Sequence, residues 1–159
     1  MDNYFRYFAA KGNRPCKDDI LADENRLVFN QFNENIVDKL IENALEIARE
    51  NYNRPVGIRI THKEKLYKQL LMDGVSEIWL LRKEKVCLET GHSSYYIFLD
   101  NIDTHQYDYM IDDETYGICG GSFPLIVQDE VVGSITCTGL RPQEDHQVIV
   151  DSIQKVLCI

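Results

Sequence analysis

The stretch YGICGGSFPLIVQDEVVGSITCTGLRPQEDHQ, residues 116–147, decides the fold. It places a glycine pair at 120–121 before two apolar, β-branched runs, at 123–127 and 131–138, that only three polar residues separate. This pattern predicts a β-hairpin. Pro142 follows at a position that suits the first turn of a helix. The stretch therefore predicts a turn, two paired strands and a helix, in that order.

The rest of the chain adds further elements with helical or alternating apolar spacing. Helices are predicted at about residues 17–25, after the capping residue Asn33, at 76–90 and from Pro142 to about 157. Strands are predicted at 26–29, 56–61 and 65–71, in addition to the hairpin. We therefore expect an α/β (α+β) fold, in which a five-stranded antiparallel sheet is flanked by helices.

Composition and charge narrow the class of protein. The chain has 159 residues, 44% of them hydrophobic, and a net charge of -9. Such an acidic chain argues against nucleic acid and anionic membrane surfaces as partners. Five cysteines without a CxxC pair favour a reduced, cytoplasmic protein over a disulfide or zinc scaffold. We expect one domain at 17–159, preceded by an aromatic extension at 1–16.

The helix predicted at 76–90 carries a basic residue in an apolar stripe. Helical spacing puts Arg82 on one face with four apolar residues, Val75, Ile78, Trp79 and Val86. A buried arginine needs a partner, because an unpaired buried charge is costly. Arg82 is thus either paired or solvated at the surface, or it anchors a ligand or a neighbouring subunit.

Two histidines are candidates for ligand contacts. His92 lies in the sequence Gly91-His92-Ser93-Ser94, in which the serines either cap a helix or form a polar pocket with the glycine turn. His146 begins the apolar face of the last helix, where a histidine is either a hydrogen-bonded core residue or a ligand contact.

Known catalytic signatures are absent from the sequence. There is no GxSxG elbow, no phosphate-binding GxxxxGK[ST], no HExxH and no dinucleotide fingerprint. Cys119 would be the one candidate nucleophile if a histidine approached it. The acidic residues between 100 and 114 favour a solvated loop, with weak divalent-metal binding as the alternative. No catalytic residue and no metal site is predicted.

Several separated motifs together resemble the UPF0303 group, which belongs to the wider GlcG/HbpS-like set with its "haem-degrading" domain. The motifs are Pro55-Val56 with Ile58 and Ile60, Trp79 with Arg82-Lys83, Gly91-His92-Ser93-Ser94, Gly120-Gly121-Ser122-Phe123-Pro124-Leu125, Val132-Gly133, Thr138-Gly139-Leu140 and Glu144-Asp145-His146. The resemblance implies a profilin-like arrangement and a homo-oligomer built from dimers.

The resemblance also implies a small-ligand-binding protein without established catalysis, with haem or a related metabolite as the ligand. The expected binding residues are Arg82, His92, Ser93, Ser94, Gly120, Gly121 and His146. An oligomeric scaffold that acts through protein contacts is one alternative. An enzyme that uses Cys119 is another.

Overall fold

The computed structural model describes residues 16–159, and within them it contains six helices and four strands. In chain order these are α1 (Lys17–Arg26), α2 (Glu34–Tyr52), β1 (Gly57–His62), β2 (Lys65–Leu71), α3 (Ile78–Thr90), α4 (Ser94–Thr104), α5 (Asp108–Ile111), β3 (Ser122–Val127), β4 (Glu130–Thr138) and α6 (Pro142–Leu157). The aromatic extension predicted at 1–16 lies outside the described residues, apart from Cys16.

The strands form one antiparallel sheet in the order β2-β1-β4-β3. Both predicted hairpins are confirmed, since β1 pairs with β2 and β3 pairs with β4. The cap predicted for α2 is also confirmed, because Asn33 accepts a hydrogen bond from the backbone N–H of Ile36 at 3.0 Å. Among the described helices, none has the length and apolar character that a bilayer crossing requires.

The prediction of a fifth strand at 26–29 is wrong. Arg26 is the last residue of α1, and only Phe29 makes a bridge, which is parallel to Val127. The N–H of Leu27 still bonds the carbonyl oxygen of Asp23 at the end of α1, so Phe29 alone pairs with the edge of the sheet. The loop predicted across the acidic residues 100–114 is also wrong in part, because α4 continues to Thr104 and α5 follows.

The two faces of the sheet pack differently. One face contributes apolar side chains such as Ile58 and Ile135 to the main core, together with α2 and α6. The other face is covered by α3 and α4, and it carries buried Thr61, Ser134 and Thr136. Thr61 and Ser134 share a hydrogen bond of 2.8 Å. The layer beneath α3 is therefore polar, although it is as well buried as the apolar core.

Most of the apolar stripe predicted for α3 lies outside its buried face, although Val86, one of its members, is fully buried. Ile78 is 60% exposed and Trp79 37%, whereas Leu80 and Lys83 are buried. Glu84 is also buried, and it pairs with Arg59 of β1 at 3.0 Å. The polar face of the sheet offers partners for charged residues, so α3 turns two of its charges inward and several apolar side chains outward.

Candidate functional site

A buried ion pair joins α3 to α6 near the end of β4. Lys83 Nζ lies 2.8 Å from Asp145 Oδ2, and the two side chains are 3% and 1% exposed. Lys83 also donates to the carbonyl oxygen of Cys137, while Asp145 accepts from the N–H of Leu140. Burial raises the pKa of Asp145, and the Lys83 ammonium opposes this shift. The pair was missed as a site from the sequence because its members stand 62 positions apart.

The glycine turn before β3 leaves space for this pair and for α6. A Cβ at Gly121 would lie 2.7 Å from Lys83 Nζ, and the φ of +139° there favours glycine. A Cβ at Gly120 would lie 2.4 Å from the carbonyl oxygen of Pro142. Both glycines are therefore required by the close approach of neighbouring groups.

The two serines after His92 have separate roles. Ser93 caps α4 by accepting a hydrogen bond from the N–H of Tyr96 at 3.1 Å. Ser94 Oγ accepts from the N–H of Ser122 at 3.0 Å. The capping interpretation thus describes Ser93, while Ser94 connects the start of α4 to the strand that follows the glycine turn.

His146 lies in the interior among aromatic side chains. Its ring packs edge-on against Tyr95, with centroids 5.1 Å apart, and tilts against Phe123 at 5.9 Å. Neither ring nitrogen has a hydrogen-bond partner among residues 16–159. Burial lowers the pKa of His146 to about 4. The ring is therefore neutral at pH 7, and it is not the hydrogen-bonded core residue considered from the sequence.

His92 forms a dyad with a carboxylate from α1. Its Nδ1 lies 2.8 Å from Glu24 Oε2, and Glu24 is almost fully buried while the His92 side chain is 38% exposed. The other carboxylate oxygen, Oε1, accepts from the N–H of Ser93 at 2.5 Å. The hydrogen bond to Glu24 raises the pKa of His92. Within residues 16–159 no hydrogen bond engages Nε2.

Arg82 is occupied by neighbours on its own side of α3. Its Nε donates to the carbonyl oxygen of Tyr116 at 2.9 Å, and its guanidinium lies 3.9 Å from the centre of the Trp79 ring. The side chain thus holds the segment before the glycine turn against α3. This arrangement corresponds to the structural alternative considered from the sequence.

The predicted binding residues consequently fall into three groups. Ser94, Gly120, Gly121 and His146 meet where α4, the glycine turn and the start of α6 pack together. His92 and Ser93 belong to the contact between α1 and α4, and Arg82 to the outer part of α3. A single hollow that all seven residues line stays a prediction.

Cys119 lacks the surroundings of an activated thiol. It is 1% exposed, and burial raises its pKa well above the ordinary value. A thiolate nucleophile needs the opposite shift. No three His, Cys, Asp or Glu side chains within residues 16–159 are grouped so that they could hold a metal ion.

The two histidines differ in how well they fit a haem iron. His92 has an Nε2 without a hydrogen bond to residues 16–159, and a carboxylate at the other ring nitrogen is the usual support for a metal-bound histidine. His146 would reach an iron only if the packing around Tyr95 opened. The donor chemistry at His92 therefore fits haem, whereas the surroundings of His146 do not.

Solved structures of low sequence identity share this fold. The crystal structure of Ybr137w, a Saccharomyces cerevisiae protein, superposes with a TM-score of 0.81 at 22% identity, covering 99% of this chain and 97% of that one. The crystal structure of a PduOC:heme complex gives a TM-score of 0.61 at 14% identity, covering 77% and 92%. HbpS gives 0.65 at 15% identity, covering 80% and 90%.

Sequence relatives identify the family. A UPF0303 protein of Psychromonas ingrahamii is 31% identical over 146 residues, which are 87% of this chain and 91% of that protein. A UPF0303 protein of Streptomyces coelicolor is 30% identical over 150 residues, or 90% and 94%. The family model described as "Haem degrading protein HbpS-like" matches residues 32–154. The chain therefore belongs to the HbpS-like family and, within it, to the UPF0303 proteins.

Proposed function

We propose that this protein is a cytoplasmic haem-binding protein in which His92 is the iron ligand. The carrying observation is the dyad of His92 with the buried Glu24, 2.8 Å apart, in which Nδ1 is engaged and Nε2 has no hydrogen bond to residues 16–159. Membership of the HbpS-like family supports haem as the ligand. One solved protein of the same fold is a haem complex, which supports it further.

Glu24 lies where a carboxylate supports a metal-bound histidine, at the ring nitrogen that does not bind the metal. A carboxylate at Nδ1 fixes the tautomer and the orientation of the ring, and raises the basicity of Nε2. Glu24 is itself held, because its second oxygen accepts from the N–H of Ser93. The ring of His92 also packs against Tyr96, with centroids 4.8 Å apart. The imidazole is thus oriented before any ligand arrives.

Haem titration followed by the Soret band tests this proposal. Wild-type protein should show a saturable shift that His92→Ala abolishes. Glu24→Gln should weaken binding by about 10–100-fold, as is usual when the partner of a metal-bound histidine is removed. His105→Ala is the matched control, since His105 is exposed and also has an aspartate at Nδ1. An unchanged titration of the His92→Ala variant would refute the assignment.

The affinity for haem should also depend on pH. Only the neutral imidazole binds iron through Nε2, so protonation competes with haem. Because Glu24 raises the pKa of His92, affinity should begin to fall at a higher pH than for an ordinary histidine. In Glu24→Gln this fall should move to lower pH. A fall at the same pH in both proteins would show that a different group controls binding.

A cytoplasmic setting accords with the cysteines. All five are free, and three of them, Cys87, Cys119 and Cys137, are buried as thiols. Proteins of oxidising compartments more often pair their cysteines. Thiol counting with a denaturing reagent on protein from cell extracts should give fully reduced protein.

A scaffold function through a homo-oligomer built from dimers is the second candidate. Ile78, Leu81 and Leu88 are 60%, 41% and 40% exposed, and their spacing forms one stripe along the outer side of α3. An exposed apolar stripe is typical of an interaction surface. Light scattering should show an oligomer that Leu81→Lys dissociates. An oligomer unaffected by this substitution would place the contact elsewhere.

A further inference from the structure

A cavity of about 140 Å³ lies against the Lys83–Asp145 pair. Lys83, Asp145 and Cys119 are nearly inaccessible, whereas Trp79 and Pro142 are more exposed, so the cavity has a charged floor and an apolar rim. This cavity is separate from His92, which does not line it. The haem proposal therefore neither requires nor excludes a second ligand here.

The ammonium of Lys83 has hydrogen-bonding capacity that the described residues do not use. A lysine carries three N–H donors, and the two acceptors around Lys83 are Asp145 Oδ2 and the carbonyl oxygen of Cys137. A buried charged donor is costly when it lacks an acceptor. The hydroxyl of Thr138, which also lines the cavity, has no hydrogen bond within residues 16–159. The Lys83 ammonium and the Thr138 hydroxyl can thus each donate a hydrogen bond to a bound oxygen acceptor.

The unused donors at the cavity favour an oxygen acceptor. Asp145 balances the charge of Lys83, and the first turn of α6 carries two acidic residues, Glu144 and Asp145, so the attraction for a carboxylate would come from the hydrogen-bond donors and not from an excess of positive charge. Asp145 already accepts from Lys83, from the N–H of Leu140 and from the Cys137 thiol. Its capacity to repel an incoming carboxylate is therefore reduced by these three donors.

The cavity is open to solvent on one side, so its volume limits only the part of a ligand that enters it. An enclosed apolar cavity of about 150 Å³ binds benzene, and a space of about 140 Å³ therefore holds on the order of six non-hydrogen atoms. We propose that the cavity binds a small monocarboxylate. Its carboxylate oxygens would accept from Lys83 and Thr138, and its short carbon chain would contact the Trp79 ring.

Trp79 is the only tryptophan of the chain, so its fluorescence reports on this cavity directly. The experiment titrates wild-type, haem-free protein with sodium propionate at constant ionic strength. Propionamide, which has the same shape without the charge, and sodium chloride are the comparison titrants. Propionate should produce a saturable change in the millimolar range, and the other two should not. Absence of a saturable change with propionate, or an equal change with propionamide, would overturn the proposal.

Substitutions of the cavity residues test whether propionate binds in this cavity. Lys83→Met/Asp145→Asn removes both charges together and should abolish the propionate response. Thr138→Val keeps the shape and loses the hydroxyl, so it should weaken binding up to about tenfold, the effect of one hydrogen bond. Leu66→Ala, on the exposed side of β2 and outside the cavity, should titrate as wild type. A wild-type response in Thr138→Val would overturn the assignment even if the double variant does not fold.

Discussion

Alternate residues of β1 and β4 point to opposite faces of the sheet, and the two faces are filled in different ways. Towards α2 and α6 the strands present Ile58, Ile60 and Ile135, which are fully buried among other apolar side chains. Towards α3 they present Arg59, Thr61 and other polar residues, and these find partners on neighbouring elements. The same strands thus support an apolar core and a polar layer.

The two faces of the sheet are expected to contribute differently to stability and to ligand binding. An apolar core tolerates substitutions that preserve volume. A buried polar layer instead depends on every donor having an acceptor, because each unpaired group is costly. Within residues 16–159, the buried side-chain atoms without a hydrogen-bond partner are Gln143 Oε1 and both ring nitrogens of His146, at the start of α6. Lys83, beneath the polar side of the sheet, has two acceptors for its three N–H donors. The polar side therefore offers the chemistry that a ligand would use.

The largest expected effect comes from breaking the ion pair of the polar layer. Lys83→Met leaves the Asp145 carboxylate buried and unpaired, so the free energy of unfolding should fall by about 3–5 kcal/mol. Lys83→Met/Asp145→Asn should cost clearly less than the sum of the two single variants, because the double variant leaves no buried charge.

Urea unfolding of wild type, Lys83→Met, Asp145→Asn and the double variant measures the interaction free energy between Lys83 and Asp145. Ile60→Val, in the apolar core, is the control, and it should lower the free energy of unfolding by only about 0.5–1.5 kcal/mol. Additive effects of Lys83→Met and Asp145→Asn would contradict the pairing on which the comparison of the two faces rests.

The second effect depends on pH and involves His146. In the unfolded chain a histidine has a pKa of about 6.5, whereas in the folded protein the pKa of His146 is about 4. Stability contributed by its neutral form is present above the unfolded value and is lost as the pH falls from there towards 4. The loss should reach about 3 kcal/mol near pH 4.

His146→Leu should remove this part of the acid dependence, while His105→Leu should retain it. Unfolding free energies measured from pH 7 to pH 4 provide the test. Parallel curves for wild type and His146→Leu would show that the buried ring takes up its proton without penalty.

The third and smallest effect concerns the glycine turn. Gly120→Ala should lower the free energy of unfolding by about 1–3 kcal/mol, because its Cβ would overlap the backbone at Pro142. Gly74→Ala is the comparison: Gly74 has a positive φ, of +85°, which Gly120 lacks, and no atom lies within 4 Å of the added Cβ. Thermal unfolding of the two variants therefore separates steric overlap, at Gly120, from backbone strain, at Gly74. An unchanged stability of Gly120→Ala would contradict the close approach of Pro142 to the turn.

Most of the fold could be predicted from local sequence patterns. The hairpin at 123–138 and the helix that starts at Pro142 are confirmed, because β-branched runs and a proline at the first turn act over a few residues. The strand predicted at 26–29 is wrong because Arg26 and Leu27 complete α1, and the apolar character of this segment does not show where the helix ends.

The site was less predictable, because its partners come from distant parts of the chain. The apolar pattern of α3 predicted that Trp79 faces inward, but Lys83 and Glu84 are the residues that are buried against the polar face of the sheet. His92 was recognised as a candidate, yet nothing near it in sequence pointed to Glu24, 68 positions away. Periodicity locates apolar faces well, and it has no means of showing that a charged residue has a buried partner.

The most direct test of the proposed function is a crystal structure of the protein with haem bound. The iron should be coordinated by Nε2 of His92, with Glu24 still hydrogen-bonded to Nδ1. Iron coordinated by another residue, with the His92–Glu24 dyad free of ligand, would contradict the account.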